Sequence, residues 1–313
     1  MNPIVPFVQS LSEKDASAWY EVLQAAMPNV KICKLSDLSE HELESVSVAI
    51  VANPNPSDLL CLPNLKWVQS LWAGVERLLD EISNEEISIV RLVDPQLSKT
   101  MAEAVLAWTF YLHRNMPEYA KQQNKKEWLQ RDVVLSSEQT IGILGLGHLG
   151  AEAAKRLLNN GFKVLGWNSG KKLPDIECFS RNEGLLKIAA LSDIVVVLLP
   201  STPQTQGLLD KHFFTHLKHG ASLINFARAN IVDTNALVKG LETRQINHAV
   251  LDVFLHEPLE KTSPLWENPD ITILPHISAP TNRDTASQIV AKNIEAYFES
   301  NKIPQAVSRK IGY

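Results

Sequence analysis

The chain has 313 residues, 45% hydrophobic and 21% charged, which is typical of a globular protein long enough for two domains. The net charge of −5 argues against a general nucleic-acid binder, which needs a dominant basic face. No apolar run approaches the ~20 residues that span a bilayer, and the N-terminus does not resemble a signal peptide. Cys33, Cys61 and Cys178 are widely spaced, which favours buried free thiols in a reducing cytoplasm and predicts no metal site.

Short apolar strands alternate with helices in the first third of the chain. We expect strands at residues 4–9, 30–33, 46–51, 67–70 and 87–92, and the clearest helix at 16–26. Such an alternation predicts a parallel sheet that is covered by helices.

The same alternation resumes after a long helix at 99–115 and a polar segment at 118–131. Further strands are expected at 194–199, 222–226, 248–253 and 271–274, with helices at 185–190, 210–216, 235–243 and 283–300. We therefore predict an α/β fold of two Rossmann-like or flavodoxin-like lobes with parallel sheets, hinged by two crossing helices. One lobe comprises residues 1–98 plus 283–313 and the other comprises residues 99–282, and we expect a small-molecule cleft between them.

A glycine-rich turn follows the strand that begins at Thr140. The run Gly-Leu-Gly-His-Leu-Gly places Gly145, Gly147 and Gly150 in the G-x-G-x-x-G order, between a strand and a helix. The first glycine permits a tight turn, the second lets the backbone approach a pyrophosphate, and the third lets the helix pack closely on the sheet. Free N–H groups at the start of the helix add positive potential. This pattern predicts a dinucleotide site, with His148 and Leu149 among the residues that bind the cofactor.

Three polar side chains follow three separate strands further along the chain. They are Arg228, Glu257 and His276, and the carboxyl ends of parallel strands meet at one edge of a sheet. A planar guanidinium suits a carboxylate, a histidine can donate a proton near neutral pH, and a glutamate can orient the imidazole and favour its charged form. Together these groups fit the reduction of a 2-keto acid to a 2-hydroxy acid.

Six segments in this order carry a resemblance to a known family. They are Trp-Val-Gln-Ser-Leu-Trp-Ala-Gly-Val at 67–75, the glycine turn, Leu-Leu-Pro-Ser-Thr-Pro at 198–203, Asn-Phe-Ala-Arg-Ala at 225–229, Leu-Asp-Val-Phe at 251–254 with Glu-Pro-Leu at 257–259, and Pro-His at 275–276. Over nearly its whole length the chain resembles the D-isomer-specific 2-hydroxyacid dehydrogenases. Within them it is most similar to the glyoxylate/hydroxypyruvate reductase A branch.

The resemblance implies roles for individual residues. Arg228 would bind the substrate carboxylate and polarise the keto group, and Glu257 with His276 would form the acid/base relay. Pro200 and Asp252 would lie by the cofactor, Asp252 beside the nicotinamide carboxamide. Ala73, Gly74 and Val75 would present backbone N–H groups to the carboxylate from the first lobe, which would bind the substrate. The family also implies a homodimer packed through the nucleotide-binding lobes, and D stereochemistry.

Trp72 departs from the family pattern, which often has a small residue before the Ala-Gly-Val turn. The indole is either a packing side chain at the surface of the lobe or a pocket wall that narrows the substrate site. The sequence does not decide between these interpretations. A 2-hydroxyacid dehydrogenase that acts on a bulkier 2-keto acid is therefore an alternative function.

The second strand of the dinucleotide fold indicates which cofactor binds. An NAD-binding fold usually has an acid at this strand end for the ribose 2′-hydroxyl, but here the chain continues as Asn168 and Ser169. These side chains can hydrogen-bond a 2′-phosphate, and Lys171 or Lys172 can supply positive charge. We therefore predict that NADPH is preferred, with NADH as the other possible cofactor.

A function of another class is a dinucleotide-sensing binding protein, since corepressors that resemble this family use the same fold to bind protein partners. The set of Arg228, Glu257 and His276 favours an enzyme. The natural substrate and the physiological direction of the reaction are left open by the sequence.

Overall fold

The computed structural model describes residues 2–170, 173–310 and 312. The strands are β1 Ile4–Gln9, β2 Lys31–Cys33, β3 Val48–Ala52, β4 Trp67–Ser70, β5 Ser88–Val90, β6 Thr140–Leu144, β7 Lys163–Trp167, β8 Glu177–Phe179, β9 Ile194–Val197, β10 Ala221–Asn225, β11 Ile246–Leu251 and β12 Ile271–Ile273. The helices are α1 Glu13–Ala26, α2 Glu40–Ser45, α3 Glu76–Glu81, α4 Pro95–His113, α5 Met116–Lys125, α6 His148–Asn159, α7 Arg181–Leu191, α8 Lys211–His216, α9 Thr234–Glu242 and α10 Arg283–Ser300.

The chain forms two compact units. The first unit comprises Met1–Gln96 and Thr281–Tyr313, and the second unit comprises Leu97–Pro280. The expected α/β fold with two parallel sheets is confirmed, because every strand pair in both sheets is parallel. Helix α4 begins in the first unit and continues into the second.

The first unit has a five-stranded sheet in the order β2-β1-β3-β4-β5, which is the flavodoxin-like arrangement. One face is covered by α1 and α10, whose buried side chains include Trp19, Leu23, Val290 and Ile294. A second apolar cluster, which includes Leu59, Val68 and Leu78, covers the other face. The sheet is therefore enclosed on both sides, as a parallel sheet requires.

The second unit has a seven-stranded sheet in the order β12-β11-β10-β9-β6-β7-β8. This is the Rossmann order, with β6 as the first strand and a reversal of strand order between β6 and β9. Successive residues of β9 point to opposite faces: Val195 and Val197 pack with α7, α8 and α9, while Val196 packs with α4 and α6. Burial on both faces explains why β9 is apolar at all four positions.

Three short elements and one longer helix are not predicted by the sequence. Strand β8 is a three-residue edge strand without a buried residue, and α2 and α3 each have only six residues. Helix α5 lies within the segment expected to be merely polar, and it buries only Pro117 and Gln122. These elements have too few apolar residues to show the hydrophobic periodicity of a helix or a strand in the sequence. No helix among the described residues is both long and apolar enough to cross a bilayer.

Candidate active site

The carboxyl ends of the seven strands of the second unit lie in one row. Residues at the strand ends are paired across the sheet in the order Phe179, Trp167, Leu144, Val197, Asn225, Leu251 and Ile273. We call this set the strand-end row. Each of the predicted site segments of this unit follows one member of the row, so strand pairing alone brings them to the same edge.

The glycine turn follows Leu144 at the centre of the row, where the strand order reverses. Gly145 has φ +103°, and a Cβ on it would lie 2.7 Å from the Leu198 carbonyl oxygen. A Cβ on Gly150 would lie 1.8 Å from the Gly145 carbonyl oxygen, so this glycine lets α6 approach the turn itself. A Cβ on Gly147 would meet no described atom within 4 Å, which leaves its backbone open on one side. The turn is thus tight on the protein side and open at the start of α6.

His148 and Leu149 begin α6, with Gly147 as the N-cap residue. The Gly147 carbonyl accepts the first helical bond from the Ala151 N–H at 2.9 Å. His148 is exposed and Leu149 is partly buried. The first turn of this 12-residue helix therefore presents backbone N–H groups at the switch point, where open α/β sheets bind ligands.

Asn168 and Ser169 follow β7, next to the glycine turn. The Asn168 N–H donates to the Phe179 carbonyl at 3.0 Å, and its Oδ1 accepts the Gly170 N–H at 2.6 Å. Asn168 is 9% exposed, whereas Ser169 is exposed. The backbone N–H of Asn168 therefore ties this loop to β8, and its side-chain oxygen stabilises the turn at Gly170. Lys171 and Lys172, predicted to supply positive charge here, lie outside the described residues.

Pro200 lies in the loop after β9. Its carbonyl accepts the Thr205 hydroxyl at 2.7 Å, and the Thr202 N–H donates to that same hydroxyl oxygen at 2.8 Å. The Ser201 hydroxyl oxygen accepts the Asn230 side-chain amide at 2.7 Å. This last bond joins the loop after β9 to the loop after β10, which carries Arg228.

Arg228 is partly buried and is held by the last residue of β10. The buried Asn225 side chain donates to the Arg228 carbonyl at 3.1 Å and accepts the Ala227 N–H at 3.1 Å. The Arg228 Nη1 donates to the Ala227 carbonyl at 2.7 Å. Asn225 therefore fixes the backbone that carries the guanidinium. The sequence identified Asn225 only as part of a motif and missed this clamp.

Glu257 and His276 are brought into contact. His276 Nδ1 lies 2.7 Å from Glu257 Oε2, and Glu257 Oε1 accepts the Phe254 N–H at 2.9 Å. A carboxylate can only accept, so Nδ1 carries the proton of this bond and Nε2 is the nitrogen left to exchange a proton elsewhere. The His276 side chain is 55% exposed.

Asp252 lies directly after β11 and is 2% exposed. Its Oδ1 accepts the Ile277 N–H at 2.8 Å, and its Oδ2 accepts the Ser278 N–H at 2.9 Å. His276, the residue before them, has φ +54°, an uncommon left-handed conformation for a non-glycine residue. The carboxylate therefore holds the loop in which this conformation occurs, a contact that the sequence did not predict.

The remaining predicted residues, Trp72 to Val75, form a turn after β4 in the first unit. The Trp72 indole N–H donates to Asn53 Oδ1 at 3.1 Å, and the ring meets Trp19 edge-on with centroids 6.0 Å apart. These contacts favour the packing interpretation of Trp72. Ala73 and Gly74 are partly exposed, and Val75 is buried. Among the described residues, no group of three or more His, Cys, Asp or Glu side chains could hold a metal ion.

Comparison with known proteins agrees with this geometry. The family model described as the NAD binding domain of D-isomer specific 2-hydroxyacid dehydrogenases matches residues 106–278. A D-isomer specific 2-hydroxyacid dehydrogenase from Xanthobacter autotrophicus Py2, solved with NADPH and MES, is 35% identical, with 99% of each chain covered and a TM-score of 0.90. A probable 2-hydroxyacid dehydrogenase from Rhizobium etli CFN 42, solved with NADP, HEPES and L(+)-tartaric acid, is 30% identical, with 99% of this chain and 100% of that chain covered and a TM-score of 0.89.

A third structure is the NADPH-dependent glyoxylate/hydroxypyruvate reductase from Sinorhizobium meliloti, solved with NADP and sulfate. It is 28% identical, with 99% of this chain and 100% of that chain covered and a TM-score of 0.87. The match of the family model and the similarity over the full chain confirm the resemblance seen in the sequence. The chain belongs to the D-isomer specific 2-hydroxyacid dehydrogenase family and is an NAD(P)-dependent oxidoreductase.

Proposed function

We propose that the protein reduces short 2-keto acids, such as glyoxylate and hydroxypyruvate, to 2-hydroxy acids with NADPH. The observation that carries the proposal is the 2.7 Å contact between His276 and Glu257, at the sheet edge where the Arg228 loop also begins. The substrate class is supported by the similar Sinorhizobium meliloti protein, which is a glyoxylate/hydroxypyruvate reductase.

The glycine turn fits a dinucleotide. A Cβ on Gly147 would project into open space, whereas Gly145 and Gly150 make close backbone contacts that a side chain would block. We assign the pyrophosphate to this turn and to the first N–H groups of α6, at His148 and Leu149. Pro200 and Asp252 would border the nicotinamide end, and the bound cofactor supplies the hydride.

Arg228 is assigned to the substrate carboxylate. Its guanidinium offers paired N–H donors in a plane, which match two carboxylate oxygens, and its charge also polarises the neighbouring keto group. The clamp by Asn225 limits how far the backbone of Arg228 can move. Positioning of this kind lowers the entropic cost of reaching the reactive geometry.

His276 is assigned as the proton donor. As the keto carbon accepts hydride, negative charge develops on its oxygen, and the proton on His276 Nε2 moves to that oxygen to give the hydroxyl group. Glu257 keeps the other ring nitrogen protonated and balances the charge of the imidazolium before transfer. In the reverse direction the neutral imidazole accepts the hydroxyl proton through the same nitrogen.

The preference for NADPH over NADH is part of the proposal. It is supported by the absence of an acid at Asn168 and Ser169 and by the NADPH or NADP present in three similar structures. Lys171 and Lys172 remain candidates for the 2′-phosphate. A higher kcat/KM with NADH than with NADPH would contradict this part.

The first unit, residues 1–98 plus 283–313 in our division, is proposed to bind substrate through Trp72 to Val75. No described residue accepts a hydrogen bond from the backbone N–H groups of Ala73, Gly74 or Val75, which suits an anion ligand. Trp72→Gly is the direct test of the indole, because a pocket wall would alter the relative KM values of small and bulky 2-keto acids. A packing role predicts a lower Tm with unchanged relative KM values.

We also propose a homodimer formed through the second unit and a cytoplasmic location. Residues 126–135, after α5, contain the exposed apolar side chains Trp128, Leu129, Val133, Val134 and Leu135. Such a concentration of exposed apolar surface is typical of a protein–protein contact. The three cysteines are free, which is compatible with a reducing compartment, but the prediction that all three are buried is wrong: Cys33 is buried, Cys178 is partly buried and Cys61 is exposed. Cell fractionation tests the location.

The proposed reaction is tested by following NADPH absorbance after addition of glyoxylate or hydroxypyruvate. We expect Arg228→Ala to lower kcat/KM by about a hundredfold or more, and Arg228→Lys to restore only part of it, because an ammonium lacks the paired donors. NADPH affinity, measured separately, should stay unchanged in both variants. Absence of turnover with any short 2-keto acid would overturn the proposal in favour of a dinucleotide-sensing protein.

A further inference from the structure

The proposed preference for NADPH requires a cation near the adenosine ribose. We propose that Arg181 supplies it, with its guanidinium bound to the ribose 2′-phosphate. This inference rests on the proposed function and deepens it, because it names a residue that selects the cofactor. Arg181 lies at a strand end that the sequence did not predict.

Strand pairing places Arg181 beside the predicted ribose site. Phe179, at the end of β8, pairs with Trp167, at the end of β7. The Asn168 N–H donates to the Phe179 carbonyl at 3.0 Å, so the pairing continues one residue beyond β7. Dinucleotide folds recognise the ribose 2′ position at the end of the second strand, which here is β7. Arg181 follows Phe179 by two residues, at the end of the strand that neighbours β7.

The backbone of Arg181 is fixed in an uncommon conformation. Its carbonyl accepts the Trp167 indole N–H at 2.8 Å, which ties the start of α7 to the end of β7. Its φ is +59°, the left-handed region that glycine tolerates and that costs an arginine free energy. Residues in such conformations persist where the surrounding structure holds them, and they concentrate at functional sites.

The charge of Arg181 is available for an anion. The side chain is exposed, and within the described part of the chain no carboxylate forms an ion pair with it. Arg181 is also the first residue of the 11-residue α7, so the positive end of the helix dipole acts in the same direction. Glu183 is the first acid along α7. Because residues two apart on a helix do not face each other, its carboxylate does not neutralise the charge of Arg181.

The test compares cofactor affinities of the full-length protein and three variants. NADPH and NADH are titrated by nicotinamide fluorescence against the wild type, Arg181→Ala, Arg181→Gly and the control Lys187→Ala, which removes an exposed cation from the same helix. We expect both Arg181 variants to raise the Kd for NADPH about ten- to a hundredfold and to leave the Kd for NADH within about twofold. Lys187→Ala should change neither Kd.

The glycine variant separates cofactor selection from a structural role. Glycine relieves the left-handed φ, so Arg181→Gly should have a Tm equal to or above that of the wild type while it loses affinity for NADPH. Equal increases in both Kd values together with a lower Tm would overturn the inference, because they would indicate a structural arginine.

The inference and the proposed function can fail separately. Tighter binding of NADH than of NADPH by the wild type would contradict the proposed cofactor preference itself. A wild type that prefers NADPH, with the same preference kept in Arg181→Ala and Arg181→Gly, would overturn only the role of Arg181. In that case Lys171→Ala combined with Lys172→Ala should abolish the preference.

Discussion

The buried carboxylate of Asp252 accepts the backbone N–H of Ile277 at 2.8 Å, directly after the proposed proton donor His276. Its second oxygen accepts the next N–H, that of Ser278, at 2.9 Å. A charged acceptor with two backbone donors is a strong local restraint. It connects the end of β11 to the loop after β12, so that Asp252 positions the imidazole without touching it.

Asp252→Asn is expected to lower kcat by about a hundredfold, because a displacement of about 1 Å in a catalytic group has that effect. The amide keeps one acceptor oxygen but turns an NH₂ donor toward a backbone donor. Steady-state kinetics with a 2-keto acid and NADPH measure the loss, and circular dichroism checks the fold. An unchanged kcat together with a raised KM for NADPH would instead place Asp252 at the nicotinamide alone.

Glu257→Gln is expected to lower kcat about a hundred- to ten-thousandfold, the range for loss of general acid–base catalysis. The amide preserves the size of the side chain but not the charge that balances the imidazolium. His276→Asn should have a similar effect, and the double variant should lose little more than either single variant, because the two groups act as a unit. Glu260→Gln, an exposed neighbour in the same loop, is the control and should retain full activity.

Two glycines of the turn should respond differently to the same added methyl group. Gly150→Ala places a Cβ 1.8 Å from the Gly145 carbonyl oxygen, so the turn must shift and the Tm should fall. Gly147→Ala meets no described atom and has φ −70°, so the Tm should be unchanged while the Kd for NADPH rises. Thermal unfolding and cofactor titration measure the two effects. Equal Tm losses would be evidence against an open backbone at Gly147.

His248 should make the stability of the protein depend on pH. Burial lowers its pKa from 6.5 to about 4, and the nearby Lys121 ammonium acts in the same direction. The unfolded chain therefore takes up a proton near pH 6.5 that the folded chain resists until about pH 4. The free energy of unfolding should fall by up to about 3 kcal/mol as the pH decreases from 6.5 to 4. Above pH 6.5 the contribution of His248 to stability is fully present.

The contribution of His248 is isolated by comparing denaturant unfolding of the wild type and His248→Gln between pH 7 and pH 4. The glutamine amide reaches the position of His248 Nε2, which lies 2.8 Å from the Thr272 hydroxyl, but it does not titrate. The variant should lose less free energy over this window, whatever its stability at pH 7. Parallel pH profiles for the two proteins would rule out the assignment.

The exposed segment after α5 should determine the oligomeric state. Trp128 is 96% exposed, and we expect Trp128→Ser combined with Leu129→Ser to convert a homodimer into a monomer. Sedimentation equilibrium of the wild type and the variant measures this change. Trp266→Ser, at an exposed tryptophan remote in sequence, is the control. A monomeric wild type would contradict the proposed dimer directly.

Much of the fold could be predicted because its buried strands are apolar over several residues and its glycine turn is placed between a strand and a helix. Strand β9 is an example, since every residue is buried. The edge strand β8 could not be predicted, because it has only three residues and none of them is fully buried. Helix α5 could not be predicted either, since its only two buried residues are Pro117 and Gln122.

Some residues of the candidate site could be predicted from the sequence, and others could not. Arg228, Glu257 and His276 were identifiable because strand ends in a parallel sheet share one edge. The residues that position them were not, because Asn225 and Asp252 act through backbone atoms of distant loops. The left-handed φ of Arg181 depends on tertiary contacts, which no local pattern records.

The residue proposed to select the cofactor and the residues proposed to carry out the chemistry lie at opposite ends of the strand-end row. Arg181 follows β8, at one end of the sheet, whereas Arg228, Glu257 and His276 follow β10, β11 and β12, at the other end. Four strand spacings lie between β8 and β10, about 19 Å, well beyond the range within which mutational effects usually interact. Changes in cofactor choice and changes in chemistry are therefore expected to combine additively. A redesigned enzyme could accept a different nucleotide while its proton-transfer step stayed as it is.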